Sequence, residues 1–299
     1  MATILALTDP GDEAIILEPW YENYVPGCLM AGVVPRYVPL HEPEYRFDPD
    51  ELEAAFNSRT RLVLINTPHN PTGRVFSRDE LRTISELCQA NDVVAVTDEI
   101  YDRILYDGHR HVSIGSLQGM RERTVTISGL GKTYAVTGWR IGWAVACERL
   151  TASIRKVHDY LTICAPAPFQ AAGIVALGLP ETYYEQMCAE YAARREILMA
   201  ALDAVGLPYC RPEGAYYVML DLSAVNWPQE RFSRSDWSPD RAFAEYMARE
   251  VGVAVVPGSS FYAEQRGGTD RVRINFAKRE STLREAALRL RRLATGCFA

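Results

Sequence analysis

Residues 125–142 read VTISGLGKTYAVTGWRIG. Val125, Thr126 and Ile127 are β-branched in succession, the composition of a short buried strand. Gly129 and Gly131 break that run, and Lys132 follows at once. A lysine there belongs to the end of a buried strand rather than to a solvated face. In a dry pocket near a second cation, its amine loses its proton more easily and can attack a carbonyl carbon. Arg140 closes the stretch as a second cation. On these residues alone a solvent-facing lysine in a glycine-containing loop is the other reading, and the rest of the chain decides between them.

Upstream, apolar strands alternate with helical segments. Strands are expected at 14–17, 33–38, 61–65, 93–97 and 124–128, with another at 141–145. Helices are expected at 20–30, 50–56, from Ser77 to about residue 90, and at 150–160. Ser77 and Glu80 form a capping box for the third of these. Several strands are apolar on both faces, which argues for an α/β fold: a mostly parallel sheet with helices on both faces. Asn70, Asp98 and Lys132 all fall just after strand C-termini, where such sheets bind ligands.

The character changes near residue 167. A helical stretch at 169–205 is interrupted near 179–181. Strands follow at 215–220, 253–256 and 271–276, with helices at 239–250 and 281–293, the last capped by Ser281. The expected division is a large domain over 1–165, then a connecting helix and a smaller C-terminal α/β domain over 166–299. Residues 3–8 resemble the last turns of a helix ended by Asp9-Pro10-Gly11, an odd opening for a domain, so a preceding segment is expected to be missing.

With 299 residues, 48% hydrophobic and 23% charged, the composition is that of a soluble globular protein. Net charge is -6 and no basic block stands alone, so no nucleic-acid partner is expected. No segment has the length of a membrane span, and the N-terminus lacks the features of a signal peptide. Seven cysteines without paired spacing argue against a disulfide framework or a metal site. They point to a reducing, cytoplasmic location, with most of them acting as small core hydrophobes.

A lysine that forms imines suggests pyridoxal 5'-phosphate, and such a site makes four demands. Asp98 is the anion that would keep the ring nitrogen protonated. Tyr101, three residues on, and Asn70 can donate to the ring's phenolic oxygen. Tyr21 is a stacking ring, and Arg140 is a cation for the phosphate. Arg273 is central in RVRINF, where a buried arginine needs an anionic partner, and a substrate α-carboxylate bound by two parallel hydrogen bonds would serve. Singly, each has an ordinary reading as cap, turn residue, packed aromatic or surface ion pair. Their joint order and their placement at strand ends are hard to obtain by chance.

NTPHNPTG, TDEIYD, SGLGKTYAVTGWRIGWA and RVRINF, in this order, resemble the class I and II aminotransferases, the fold type I pyridoxal-phosphate enzymes. The resemblance covers nearly the whole chain. It implies that Lys132 holds the cofactor and moves a proton, Asp98 pairs with the pyridine nitrogen, and Tyr101 and Asn70 reach the phenolic oxygen. It also implies that Tyr21 stacks on the ring, Arg140 and Ser128 hold the phosphate, and Arg273 binds the substrate carboxylate, Asn70 lying beside it. Some relatives carry serine where this chain has Gly131, one phosphate donor fewer. EPWYENY, the DGHRHVSI stretch and the loop from Val253 to Tyr262 look closest to the kynurenine, glutamine and methionine branch. Amino acids and 2-oxo acids are then the expected substrates, with an aspartate-type enzyme or an inactive binding homologue as alternatives, and a homodimer as the expected assembly. Relatives also carry a segment before TILALTDPGDE that holds a phosphate-gripping turn and a cover for the substrate.

Overall fold

The computed structural model describes residues 1–223, 225–263 and 267–295. A larger sheet comes first, built from β1 (Glu13–Glu18), β2 (Val34–Pro39), β3 (Thr60–Asn66), β4 (Val94–Asp98), β5 (Thr124–Gly129) and β6 (Gly142–Val145). Its order is β2-β1-β3-β4-β5-β6. Every pairing is parallel except β5 with β6, so the expected mostly parallel α/β sheet is what forms. Helix α1 (Ala2–Leu7) precedes β1, and between the strands run α2 (Tyr24–Met30), α3 (Pro49–Ala54), α4 (Arg78–Ala90) and the single turn α5 (Leu130–Thr133).

The two faces of β1 show why this sheet is covered twice. Ile15 and Leu17 pack with Val63, Ile65 and the α4 residues Leu81 and Ile84. Ala14 and Ile16 pack oppositely with Leu62, Leu64, Val125 and Ile4 of α1. A period of two along each strand thus feeds two separate cores. The capping box of α4 forms as the sequence implies: Ser77 Oγ accepts from the Glu80 amide at 3.2 Å, and Glu80 Oε2 accepts from the Ser77 amide at 2.9 Å.

Helices α6 (Glu148–Leu161), α7 (Ala167–Leu177) and α8 (Glu181–Val205) lead to an antiparallel sheet of order β7-β9-β8, with β7 at Tyr217–Asp221, β8 at Val256–Pro257 and β9 at Arg271–Asn275. Helices α9 (Gln229–Phe232), α10 (Pro239–Tyr246) and α11 (Glu280–Thr295) complete this part. Val218, Leu220, Val272 and Ile274 form its core with Leu198 and Leu202 of α8.

Four local expectations are corrected. The helix expected from residue 20 begins at Tyr24, because Pro26 lacks an amide proton and fits only a first turn. That leaves Tyr21 in the connection after β1. The strand expected from 215 begins at Tyr217, since Ala215 sits at φ 55, off any strand conformation. Ser281 does not cap α11: the helix starts at Glu280, and the carbonyl of Arg279 accepts from the Leu283 amide. Nor do most cysteines fill the core. Cys28 and Cys88 are buried, Cys147, Cys188 and Cys210 are half-buried and Cys164 is exposed; Cys297 lies outside the described residues.

Candidate active site

Parallel register brings three strand ends together. Asn66 pairs with Asp98 across β3 and β4, and Asp98 pairs with Ile127 across β4 and β5. Helix α5 then turns Lys132 back over these ends. The crevice is a cavity of about 380 Å³ at the C-terminal edge of the parallel strands. Tyr21, Asn70, Asp98, Tyr101, Ser128, Lys132, Arg140 and Arg273 all border it, so the structure brings together every site residue inferred from sequence. The volume lies in the range of small-molecule sites.

Two glycines permit this arrangement. Gly129 ends β5 so close to β6 that a Cβ would lie 2.7 Å from the carbonyl oxygen of Ile141. Gly73, in the loop carrying Asn70, has φ +76, and a Cβ there would come within 2.8 Å of the Tyr217 carbonyl oxygen. The loop is stiffened by His69, whose Nδ1 meets Thr72 Oγ1 at 2.7 Å. Burial, with Arg74 nearby, pushes the His69 imidazole down to about 3, so it stays neutral.

Asp98 is half-buried and borders the cavity. Its Oδ2 accepts from the Tyr24 hydroxyl at 2.8 Å and its Oδ1 from the Ile100 amide at 3.2 Å. Burial pushes its carboxyl above the ordinary range, and the two hydrogen bonds only partly oppose that. Among the described residues no lysine or arginine bonds this carboxylate. Asn66 supports it from below, its side-chain amide donating to the Asp98 carbonyl at 2.9 Å and accepting from the Asn70 amide at 2.7 Å.

Lys132 is half-buried, its Nζ 5.9 Å from the ring centres of both Tyr101 and Tyr216. Burial pushes the Tyr101 phenol well above its ordinary range, so its hydroxyl stays protonated. That hydroxyl lies 2.9 Å from the hydroxyl of Tyr217. The Arg273 guanidinium lies over two rings, its Cζ 4.5 Å from the centre of Tyr217 and 4.6 Å from that of Phe261. One guanidinium nitrogen donates to Asn70 Oδ1 at 2.7 Å, which assigns that atom as oxygen and leaves Nδ2 as the amide's donor.

The phosphate end is less closely built. Arg140 is exposed and donates to the Thr137 carbonyl at 3.1 Å. Ser128 borders the cavity, but its hydroxyl donates to the Glu99 carbonyl at 3.3 Å. Sequence reasoning passed over Asn66 and Tyr217 and gave Tyr24 no chemical part. Tyr24 carried a usable signal, lying three residues from Tyr21 in EPWYENY, but only tertiary contact shows what its hydroxyl and that of Tyr217 meet.

Pyridoxal phosphate fits this donor set. A half-buried carboxylate that no lysine or arginine among the described residues bonds suits a protonated pyridine nitrogen, and Tyr101 with Asn70 offers two donors for one oxygen. Arg273, lying over two rings, has a planar fork ready for a carboxylate. Among the described residues no group of three or more His, Cys, Asp and Glu side chains could hold a metal ion.

The sequence pattern described as aminotransferase class I and II matches residues 1–290, and the chain belongs to that family, whose cofactor is pyridoxal phosphate. It is 35% identical to rat kynurenine–oxoglutarate transaminase 3 over 299 residues, covering 94% of this chain and 66% of the relative. Among solved structures it resembles Bna3p, a putative kynurenine aminotransferase from Saccharomyces cerevisiae, with TM-score 0.93 and 31% identity, over 98% of this chain and 74% of that one. It also resembles YbdL from Escherichia coli, described as having a methionine aminotransferase function, with TM-score 0.89 and 36% identity over the same shares of the two chains.

Proposed function

We propose that this chain transfers the amino group of an L-amino acid to a 2-oxo acid, using pyridoxal 5'-phosphate. The convergence of Lys132, Asp98, Tyr101, Asn70 and Arg273 on one cavity carries the reading. When bound, the cofactor supplies an aldehyde that exchanges amino groups and a ring that withdraws electrons from the substrate's α-carbon. The side chains do the rest. Lys132 would hold the cofactor through its amine and, as a neutral base, would move the substrate's α-proton. Asp98 keeps the pyridine nitrogen protonated, Tyr101 and Asn70 donate to the phenolic oxygen, and Tyr21 stacks on the ring. Arg140, with Ser128 beside it, faces the phosphate. Arg273 forks onto the α-carboxylate.

The preferred donors are kynurenine, glutamine, methionine and aromatic amino acids. Likeness to the rat transaminase and to YbdL supports this preference. We read residues 1–165 as the cofactor-binding domain and 166–299 as the connecting helix and substrate-closing domain, working as a homodimer in cytoplasmic amino acid metabolism. No helix among the described residues is long and apolar enough to cross a membrane. Apolar side chains exposed at the end of α6 and along α7, among them Tyr160, Ile163, Ile174 and Val175, support self-association.

Borohydride reduction of the cofactor-loaded protein tests the chemistry. The expected result is one pyridoxyl adduct, on Lys132 by peptide mass mapping, in a species that sediments as a dimer. An unlabelled Lys132 in folded protein sinks the proposed reaction, and a monomer at micromolar concentration sinks the assembly.

A further inference from the structure

Tyr217 has no part in the reading above, yet it touches both halves of the site. It lies on β7, buried, while Tyr101 follows β4 of the larger sheet. Their hydroxyls are 2.9 Å apart and their rings are perpendicular, 5.8 Å between centres. On its other side the Tyr217 ring carries the Arg273 guanidinium at 4.5 Å. One side chain therefore bridges the cofactor's oxygen donor and the carboxylate clamp, across the junction of the two sheets.

The two hydroxyls share one hydrogen bond, and its direction matters. If Tyr101 donates to Tyr217, its single proton is spent. If Tyr217 donates to Tyr101, that proton is left for an acceptor in the cavity or for the Tyr216 hydroxyl, which also lies within hydrogen-bond reach of Tyr101. A guanidinium over the Tyr217 ring draws electron density from it, making its hydroxyl the better donor. The other titratable or charged groups around the pair are Lys132 from α5, Tyr216 just before β7, Tyr191 from α8 and Tyr21 from the connection after β1.

Resting on the proposed cofactor reading, we infer that Tyr217 is a positioning residue: its hydroxyl donates to Tyr101 and turns the Tyr101 proton toward the cofactor's phenolic oxygen, while its ring beds Arg273. Hydrogen bonds in series strengthen one another, so Tyr101 becomes a stronger donor than it would be alone. A donor to the phenolic oxygen favours the more negatively charged form of the bound chromophore. Losing it raises the pH at which the chromophore gives up its proton.

The test is a pH titration of cofactor absorbance on the loaded protein. Tyr217→Phe keeps the ring and removes the donor, and should move the transition up by about half to one pH unit. In a Tyr101→Phe background the same change should add nothing, since Tyr217 acts through Tyr101. Tyr217→Leu removes the ring as well, and should in addition raise KM for the amino acid roughly five- to tenfold relative to Tyr217→Phe. If Tyr217→Phe fails to fold, 3-fluorotyrosine in place of Tyr217 makes a more acidic donor and should move the transition down. An unchanged transition in either substituted protein overturns the inference alone. An equal upward shift with and without Tyr101 also overturns it, because the effect would then bypass that residue. A wild-type chain that forms neither chromophore nor adduct on Lys132 overturns both this inference and the reading beneath it.

Discussion

Two carboxylates at opposite edges of the same sheet have opposite surroundings. Glu13 opens β1 and is 1% exposed. Arg36 Nε donates to it at 2.7 Å, Arg59 Nε at 2.8 Å and Asn57 Nδ2 at 2.7 Å. The Arg36 hydrogen bond, joined by Asn57 and Arg59, outweighs burial and brings its carboxyl down to about 2. Asp98 closes β4 with one tyrosine hydroxyl and one backbone amide, and burial pushes its carboxyl up. The chain satisfies Glu13 with its own cations and brings none to bond Asp98. A fold-stabilising carboxylate is completed from within, whereas one reserved for a ligand keeps its need open toward a cavity.

Replacing each carboxylate by its amide should therefore separate activity from stability. Asp98→Asn is expected to lower kcat by about a thousandfold, because a neutral amide cannot hold the pyridine nitrogen protonated. The same variant, free of cofactor, should melt at or above the wild-type temperature at neutral pH. The reason lies in the sign of its shift. Its folded pKa lies above the ordinary 3.8, so the anion costs the fold stability as pH rises through that window. Steady-state kinetics beside thermal melts would measure both, and a variant that is active or markedly less stable would place Asp98 with Glu13.

Glu13→Gln should do the reverse. The two arginines are about half exposed or more and return to water, so the cost is that of the lost charge-assisted hydrogen bonds, about 2 kcal/mol. Its activity at 25 °C should stay at the wild-type level. Because the folded pKa is about 2 against an ordinary 4.5, the stability Glu13 lends is complete above pH 4.5 and is lost as pH falls toward 2. Denaturant titrations across that range should show the gap between variant and wild type closing. A gap that persists at the acid end would mean that packing, not charge, is what the residue supplies.

The sequence disclosed these two residues unequally, for a physical reason. Asp98 sits in TDEIYD, where an acid after an apolar strand is locally odd, and Lys132 and Arg273 are similarly out of place in apolar surroundings. Chemistry that violates local patterning is visible in a single chain. Glu13 was not visible, because its partners at positions 36, 57 and 59 are brought to it only by the pairing of β1 with β2 and β3. Tyr24 and Tyr217 were hidden likewise, since an aromatic in a strand or helix already has an ordinary packing role. Ser128 shows a different limit. Its motif position puts it at the cavity, where its hydroxyl donates to the Glu99 carbonyl at 3.3 Å. Pattern gives neighbourhood, and hydrogen-bond competition decides what a hydroxyl does there.

The finest division of the comparison falls on Tyr24, the only side chain that donates to Asp98 among the described residues. Burial and the adjacent Asp98 push its phenol well above the ordinary range, so the hydroxyl remains a donor at every working pH. Tyr24→Phe leaves Asp98 Oδ1 its backbone donor and strips Oδ2 of its partner. The anion is then less favoured, so more of the enzyme carries a protonated Asp98 at the acid end. The expected result is a fall in kcat of up to about threefold at the acid end, with the acid limb of the rate profile moved up by about half a unit. Arg273 makes no contact with this hydroxyl, so KM for the amino acid should hold. An acid limb that stays in place would show that the bound cofactor alone fixes the charge of Asp98, leaving Tyr24 as packing.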